Sequence, residues 1–351
     1  MGNNLNQQSG RDLSKLPKAH LHLHFTGSLR PQSLTDLAQA KQIRLPANLL
    51  DHHPLRLPAD RRGWFRFQRA YDAARALVRD EETMRRIVKE AAEDDAAEGS
   101  KRLEIQVDPT SYAPFVGGIT PALEIILDEA KQASARTGVE VAVIVAASRM
   151  QHPLNARTLA RLARQYAGDQ PGEVVGFGLS NDERNGNALD WEPAFRLARQ
   201  AGLAALPHGG ELRGPNGVKD VMKHLGPIRL GHGIRATEDP RLLEELVARD
   251  VAFEVCPASN VSLGVFSDAK QVPLRQLYDS DALISLNADD PLLFRSRLVD
   301  QYETARELGF SDEELAEIAR RSIKSSLASD TSKRQWLAEV DQWLLTSPKD
   351  A

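Results

Sequence analysis

This sequence predicts an α/β fold, a single (β/α)8 barrel of the TIM type with a helical insertion after its first strand and extra helices at its C-terminus. Three observations carry that expectation. From about residue 100 onward, short apolar runs rich in β-branched residues alternate with longer stretches of helical period, the pattern of repeated strand–helix units. With one further run near the N-terminus the strand candidates number eight, which closes a parallel barrel. The residues that carry chemistry recur at the C-terminal ends of these runs, the catalytic face of such a barrel. A chain of 351 residues is ordinary for one barrel, so one domain covering 1–351 is expected.

In chain order, the first strand candidate is the alternating run 19–25, followed by 103–107, 141–147, 174–179, 203–207, 228–231, 251–255 and 283–286. Amphipathic helix candidates at 121–136, 156–166, 191–200 and 240–249 are long enough for crossover connections. Residues 29–100 form an insertion that holds Pro46, Pro54 and Pro58, then Trp64-Phe-Arg-Phe67 and a helical period. An insertion after a barrel strand lands on the catalytic rim, so this one is read as mostly helical and partly a lid. Its aromatics suit packing against the barrel equally well. Ser311-Asp-Glu-Glu314 reads as a capping box, and a last helix places Trp336, Leu337, Val340, Trp343 and Leu344 on one stripe.

Composition narrows the function classes. Hydrophobic residues at 41% and charged residues at 27%, with a formal net charge of −4, describe an ordinary globular chain without a basic footprint. A small-molecule partner is therefore expected, not nucleic acid. The longest apolar runs, such as 141–147, fall far short of a membrane span. The segment 1–11 is polar and lacks the apolar core of a secretion signal, and Asn6 stands where a myristoylation signal wants Ser or Thr, which favours the cytoplasm. The single cysteine, Cys256, excludes an intrachain disulfide and a multi-cysteine metal site, so a metal must be held by histidines and carboxylates.

His22 and His24 lie two apart in the first strand, so both side chains point to one face and can bind one ion. The fifth strand ends in His208, with Glu211 three residues on; the sixth ends in Gly231-His232-Gly233; the eighth ends in Asn287-Ala-Asp289-Asp290-Pro291. Three histidines and one aspartate would hold a Zn²⁺ ion and leave a position for water, whose pKa the ion brings toward neutrality. Each piece alone has a plain explanation. A strand histidine is more often a satisfied core or surface residue, and Asp289-Asp290 could cap a helix. Their coincidence at four strand ends favours the metal. His20, also in phase, is read as a residue behind the ligands or as structural.

At these residues the sequence resembles the adenosine deaminase family of the metal-dependent amidohydrolases. The matching stretches are Leu16-Pro-Lys-Ala-His-Leu-His-Leu-His24 with Gly27, His208-Gly-Gly-Glu211, Gly231-His232-Gly233, Glu254-Val-Cys-Pro-Ala-Ser259 and Ser285-Leu-Asn-Ala-Asp-Asp-Pro291, in the family's order. The resemblance implies one Zn²⁺ held by His22, His24, His208 and Asp289, and hydrolytic deamination of an adenine compound. It implies that Glu211 protonates purine N1, that His232 and Asp289 orient the attacking hydroxide, and that Asp290 binds N7. Two departures bear on the substrate. Thr26 stands where the family usually carries an acid near the sugar, and Asn181 where a glycine amide commonly reaches N3.

A site lacking that acid tolerates an anionic 5′ extension, for which Ser148 and Arg149, with Arg66 or Arg69 from the insertion, are the candidate receivers. An adenine nucleoside with a carboxylated extension, aminodeoxyfutalosine in menaquinone synthesis, fits as well as adenosine. The competing readings are another amidohydrolase acting on an amide, lactone or phosphotriester, a non-catalytic zinc- or nucleoside-binding protein, and a nucleic-acid editor. The tandem acids and Glu211 argue against the first two, and the acidic net charge against the third. The H-x-E and P-C-x-x-C signature of the small nucleobase deaminases is missing.

Overall fold

The computed structural model describes residues 10–347; most of the polar segment at the N-terminus, including Asn6, lies outside the described residues. Eight strands form one sheet in sequential order, every neighbouring pair parallel. They are β1 (Lys18–His24), β2 (Ser100–Val107), β3 (Glu140–Ser148), β4 (Val174–Ser180), β5 (Ala204–Gly209), β6 (Arg229–His232), β7 (Ala252–Val255) and β8 (Ile284–Leu286). Each coincides with a run picked out in the sequence. β2 begins earlier than expected because its polar start, Ser100-Lys-Arg102, reads as loop, although Ser100 and Arg102 are buried. The strands read as near-continuous apolar stretches because both faces are covered, one by the barrel interior and one by helices.

The barrel closes where β8 returns to β1. His24 N–H donates to Asp289 O at 3.0 Å and Asp289 N–H to His22 O at 3.0 Å. That seam seats Asp289 between the two histidines of β1.

The expected crossover helices are present as Ile119–Thr137, Pro153–Ala163, Ala188–Gln200 and Pro240–Ala248. The second gives way to a tight 3-10 turn at Arg164–Tyr166. A further one, Pro215–Leu225, follows β5; its opening Pro-Asn-Gly reads as a turn, although proline in the first helical turn is a normal start. The capping box forms, Ser311 accepting from Glu314 N and the Glu314 side chain reaching back. The last helix, Asp330–Leu345, buries Trp336, Val340 and Trp343, with Leu337 and Leu344 partly covered.

The insertion is mostly helical: Pro31–Ala40, Ala47–Leu50, Arg61–Arg75 and Glu81–Ala97. Only its earlier part lies over the rim. Glu81–Ala97 packs against Ile119–Thr137 and β2 and so belongs to the outer ring of the barrel. Asp60 and Asp80 start the last two of these helices by accepting from Gly63 N and Thr83 N. No helix among the described residues is long and apolar enough to cross a membrane.

Candidate active site

At the C-terminal ends of the strands a pocket of about 750 Å³, open mouth included, is lined at its floor by His24, His208, Glu211, His232, Asp289 and Asp290. His22 lies just beneath, fully buried. Strand register explains the gathering. His208 pairs with Gly231 and Gly209 with His232 across β5 and β6, and Gly231 pairs with Glu254 across β6 and β7. A side chain at Gly231 would stand 3.0 Å from His22 Cε1 and 3.1 Å from His208 Cγ, so glycine is what leaves room for the imidazoles.

The ring of His22 lies 4.6 to 5.1 Å, centroid to centroid, from those of His24, His208 and His232, and His208 lies 5.2 and 5.3 Å from His24 and His232. His22 Nε2 and His24 Nε2 lie 3.5 and 3.2 Å from Asp289 Oδ1. His22, His24 and Asp289 form one group able to hold a metal ion, and His22, His208 and His232 a second. His22 Nε2 and His208 Nδ1 are buried without a hydrogen-bond partner, a costly arrangement unless something else engages them. These donors fit a borderline divalent ion. A third group joins Cys256 to His232 and Asp289.

The ionisable groups around this cluster are driven apart. Burial pushes the Glu211 carboxyl well up, helped by the charges of Asp289 and Glu183; Asp290 is likewise pushed up by burial and by Asp289 beside it. Asp289 goes the other way, since the imidazoles of His22 and His24 beside it outweigh its burial and hold it well below the carboxylate range. Burial holds His232 down at about 3, so its ring is neutral, with Nε2 at 3.7 Å from Glu211 Oε2 and 3.9 Å from Asp289 Oδ2. Two carboxyls pushed up, one held down and an imidazole held down thus share one pocket. His232 and Asp289 both adopt φ of 63°, a left-handed conformation uncommon for non-glycine residues. At Gly27 a Cβ would fall 1.7 Å from Asp290 Oδ1, so only glycine lets that acid take its position.

A family model for adenosine deaminase matches residues 17–343. The chain belongs to the adenosine deaminase family. A protein of Streptomyces virginiae, whose name proposes adenosine/adenine deaminase activity, is 56% identical over 339 residues, 96% of this chain and 99% of that one. The adenine deaminase of Sinorhizobium fredii is 32% identical over 326 residues, 93% and 98% of the two chains. The crystal structure of an adenine deaminase from Arthrobacter aurescens superposes with a TM-score of 0.86 at 28% identity, covering 94% of this chain and all 100% of that one.

Beneath the pocket of this family member, a ladder of buried charges descends the barrel. His22 Nδ1 meets Glu254 Oε2 at 2.7 Å, Arg229 Nε donates to Glu254 Oε1 at 2.7 Å and Arg229 Nη2 to Glu104 Oε2 at 2.6 Å; Arg102 Nε donates to Glu104 Oε1 at 3.1 Å. The carboxylates of Asp289 and Glu254 beside it outweigh the burial of His22 and carry it up to about 10. His20 plays the supporting part expected of it: Nδ1 meets Asp95 at 3.0 Å, and Nε2 accepts from the N–H of Ala288 at 3.1 Å. The register of β1 shifts between His20 and Leu23, which takes His20 out of phase with the cluster.

Over the pocket, the helix Arg61–Arg75 lays down Trp64, Phe67, Gln68, Tyr71 and Arg75, one stripe at helical spacing. Trp64 Nε1 donates to Asn181 Oδ1 at 3.3 Å and Asn181 Nδ2 to Gln68 Oε1 at 3.1 Å. Arg184 Nη1 donates to Ala59 O at 3.1 Å. The insertion is thereby tied to the loop after β4.

Several sequence-based placements need correction. Asn181 lines the pocket as expected; its side chain bonds to Trp64 and Gln68 of the helix Arg61–Arg75, and its φ is 77°. Ser148 lines the pocket as expected. Arg149 does not: its guanidinium is buried over the Trp191 ring, 5.5 Å from the centroid, and donates to His208 O at 3.3 Å. Arg66 and Arg69 are exposed on the outer face of the lid helix, with Arg69 over Phe65. Thr26 is fully buried, its hydroxyl 2.7 Å from Tyr112 Oη, so Tyr112 and not Thr26 faces the pocket. The arginine that does line it is Arg75, bonded to Asp72 at 2.6 Å and Ser111 at 3.3 Å. Its signal was its place on the lid stripe, in phase with Trp64 and Tyr71.

Proposed function

We propose that the chain catalyses hydrolytic deamination at C6 of an adenine nucleoside, releasing ammonia and leaving a 6-oxopurine. The observation that carries this reading is the pairing of a histidine–aspartate cluster with two further buried carboxyls, Glu211 and Asp290, in one pocket. Hydrolysis of an amide or lactone calls for no acid facing a ring nitrogen, whereas an aminopurine resists attack until its ring is protonated.

His22, His24, His208 and Asp289 would hold one Zn²⁺, which when bound supplies Lewis acidity toward water at neutral pH. Glu211 holds a proton and delivers it to purine N1, making C6 electrophilic. His232 and Asp289 orient the attacking water through their facing nitrogen and oxygen atoms. Asp290, kept protonated, donates to N7. Asn181, its side chain taken by the lid, has only its backbone to offer the base. Attack at C6 forms the new C–O bond and the C–N bond breaks; one water proton leaves with ammonia, and the other, lost from the C6 hydroxyl as the 6-oxo group forms, restores the proton that Glu211 gave to N1.

The substrate is read as a nucleoside because the pocket extends well beyond a base, to Ser148, Ser111 and Arg75. An anionic 5′ extension such as that of aminodeoxyfutalosine would meet Arg75, which takes the part expected of Arg149. Comparing kcat/KM for adenosine, adenine and aminodeoxyfutalosine tests this. Preference for the extended nucleoside, lost selectively in Arg75→Ala, is the expected result; preference for free adenine would overturn it.

Two further outcomes follow. Glu254→Gln places an amide nitrogen against either Arg229 or His22, so zinc affinity should fall about 10–100-fold, measured by competition with a chelator. Asn181→Gly keeps the left-handed backbone but removes both lid hydrogen bonds. Each such bond contributes about 0.5–1.5 kcal/mol, so KM should rise roughly tenfold with kcat little changed.

A further inference from the structure

We propose that Glu183 is a positioning residue that sets Glu211 in place, an inference that rests on reading Glu211 as the proton donor. Glu211 leaves β5 through Gly210, whose φ is +88° and whose Cα faces Val218 and Gly233 too closely for a side chain. The carboxyl of Glu211 then stands 3.7 Å from His232 Nε2. A loop in that conformation keeps a side chain in one place only if its backbone is held.

The loop after β4 supplies the hold. Glu183 is 1% exposed. Its Oε1 accepts from Glu211 N at 3.1 Å, and its Oε2 accepts from Leu212 N at 3.0 Å and Arg213 N at 2.9 Å. Three consecutive N–H groups thus converge on one carboxylate, and hydrogen bonds to an ionised acceptor are the strong kind. The loop that carries Glu183 is itself fixed, through Asn181 to Gln68 and through Arg184 to Ala59. Arg149 completes the frame from the β3 side, gripping His208 O three residues before Glu211. The loops after β3, β4 and β5 are locked to one another around the segment that carries both a candidate ligand and the candidate acid.

A glutamine at 183 has the same length but one acceptor oxygen, and its amide N–H₂ would face a backbone N–H. The loop should shift, and a displacement near 1 Å in a reacting group costs about 100-fold in rate. In Glu183→Gln we expect kcat to fall about 100-fold, with KM and metal content close to those of the parent and a melting temperature lowered by the loss of charge-assisted hydrogen bonds. In a Glu211→Gln background, the same substitution should change kcat by less than about threefold, since its effect passes through Glu211.

Turnover of Glu183→Gln near the parent's, beside a nearly inactive Glu211→Gln, would overturn this proposal alone. So would an equal fold-loss in both backgrounds. Near-normal turnover of Glu211→Gln would remove the proton-donor reading and this proposal with it. Should Glu183→Gln fail to fold, Glu183→Asp, which keeps the charge but shortens the reach, is read by the same criteria.

Discussion

Replacing Glu211 with glutamine should lower kcat by roughly a thousandfold while zinc stays bound, because general acid catalysis typically contributes 10²–10⁴-fold and Glu211 is outside the groups that could hold the ion. The substitution is nearly isosteric, so the pocket keeps its shape. What changes is the proton: burial and the neighbouring charges of Asp289 and Glu183 raise the carboxyl's affinity for a proton, and an amide cannot pass one to a ring nitrogen. Steady-state turnover alongside metal analysis checks this. Retained zinc with lost turnover assigns the proton to Glu211; loss of zinc or near-normal turnover would remove it from that role.

Arg229→Met should bring the largest loss of stability, about 3–5 kcal/mol by denaturant unfolding, since removing one partner leaves buried charges uncompensated. Arg229 is 1% exposed and bridges Glu254 and Glu104. Burial raises Glu104, yet the charges of Arg229 and Arg102 outweigh it and hold the carboxyl below its usual range. A depressed carboxylate contributes stability above its unfolded pKa and loses it as pH falls through the folded one. Without Arg229, burial prevails and the pKa of Glu104 rises, so protonation of this group no longer disfavours the folded state, and the variant's stability deficit should be largest near neutral pH and shrink as pH falls. A deficit that stays constant from neutral to acid pH would mean that the ladder contributes no net charge coupling.

The barrel was legible because strand and helix periods differ and the apolar runs kept their spacing through eight units. The histidine–aspartate cluster was legible for a related reason: a residue at a strand's C-terminal end has its Cα fixed by the barrel, and His22, His24, His208 and Asp289 all have that address. Arg149 and Thr26 show where the inference stops. Both follow a strand, but past the last ladder bond the loop decides which way a side chain points, and theirs turn behind β5 and beneath Tyr112. Glu254 lay in a stretch quoted for the resemblance, yet nothing in the sequence said that it would face His22 across three strands. Glu183 was invisible as a clamp because its partners are backbone N–H groups, which every residue but proline has.

The most direct test of hydrolytic deamination is to incubate the zinc-loaded protein with adenosine, adenine and aminodeoxyfutalosine in ¹⁸O-labelled water and measure ammonia and the labelled 6-oxopurine together. The account predicts one ammonia per oxopurine, with the new oxygen drawn from water. A folded, metal-loaded protein that releases no ammonia from any of the three would contradict it.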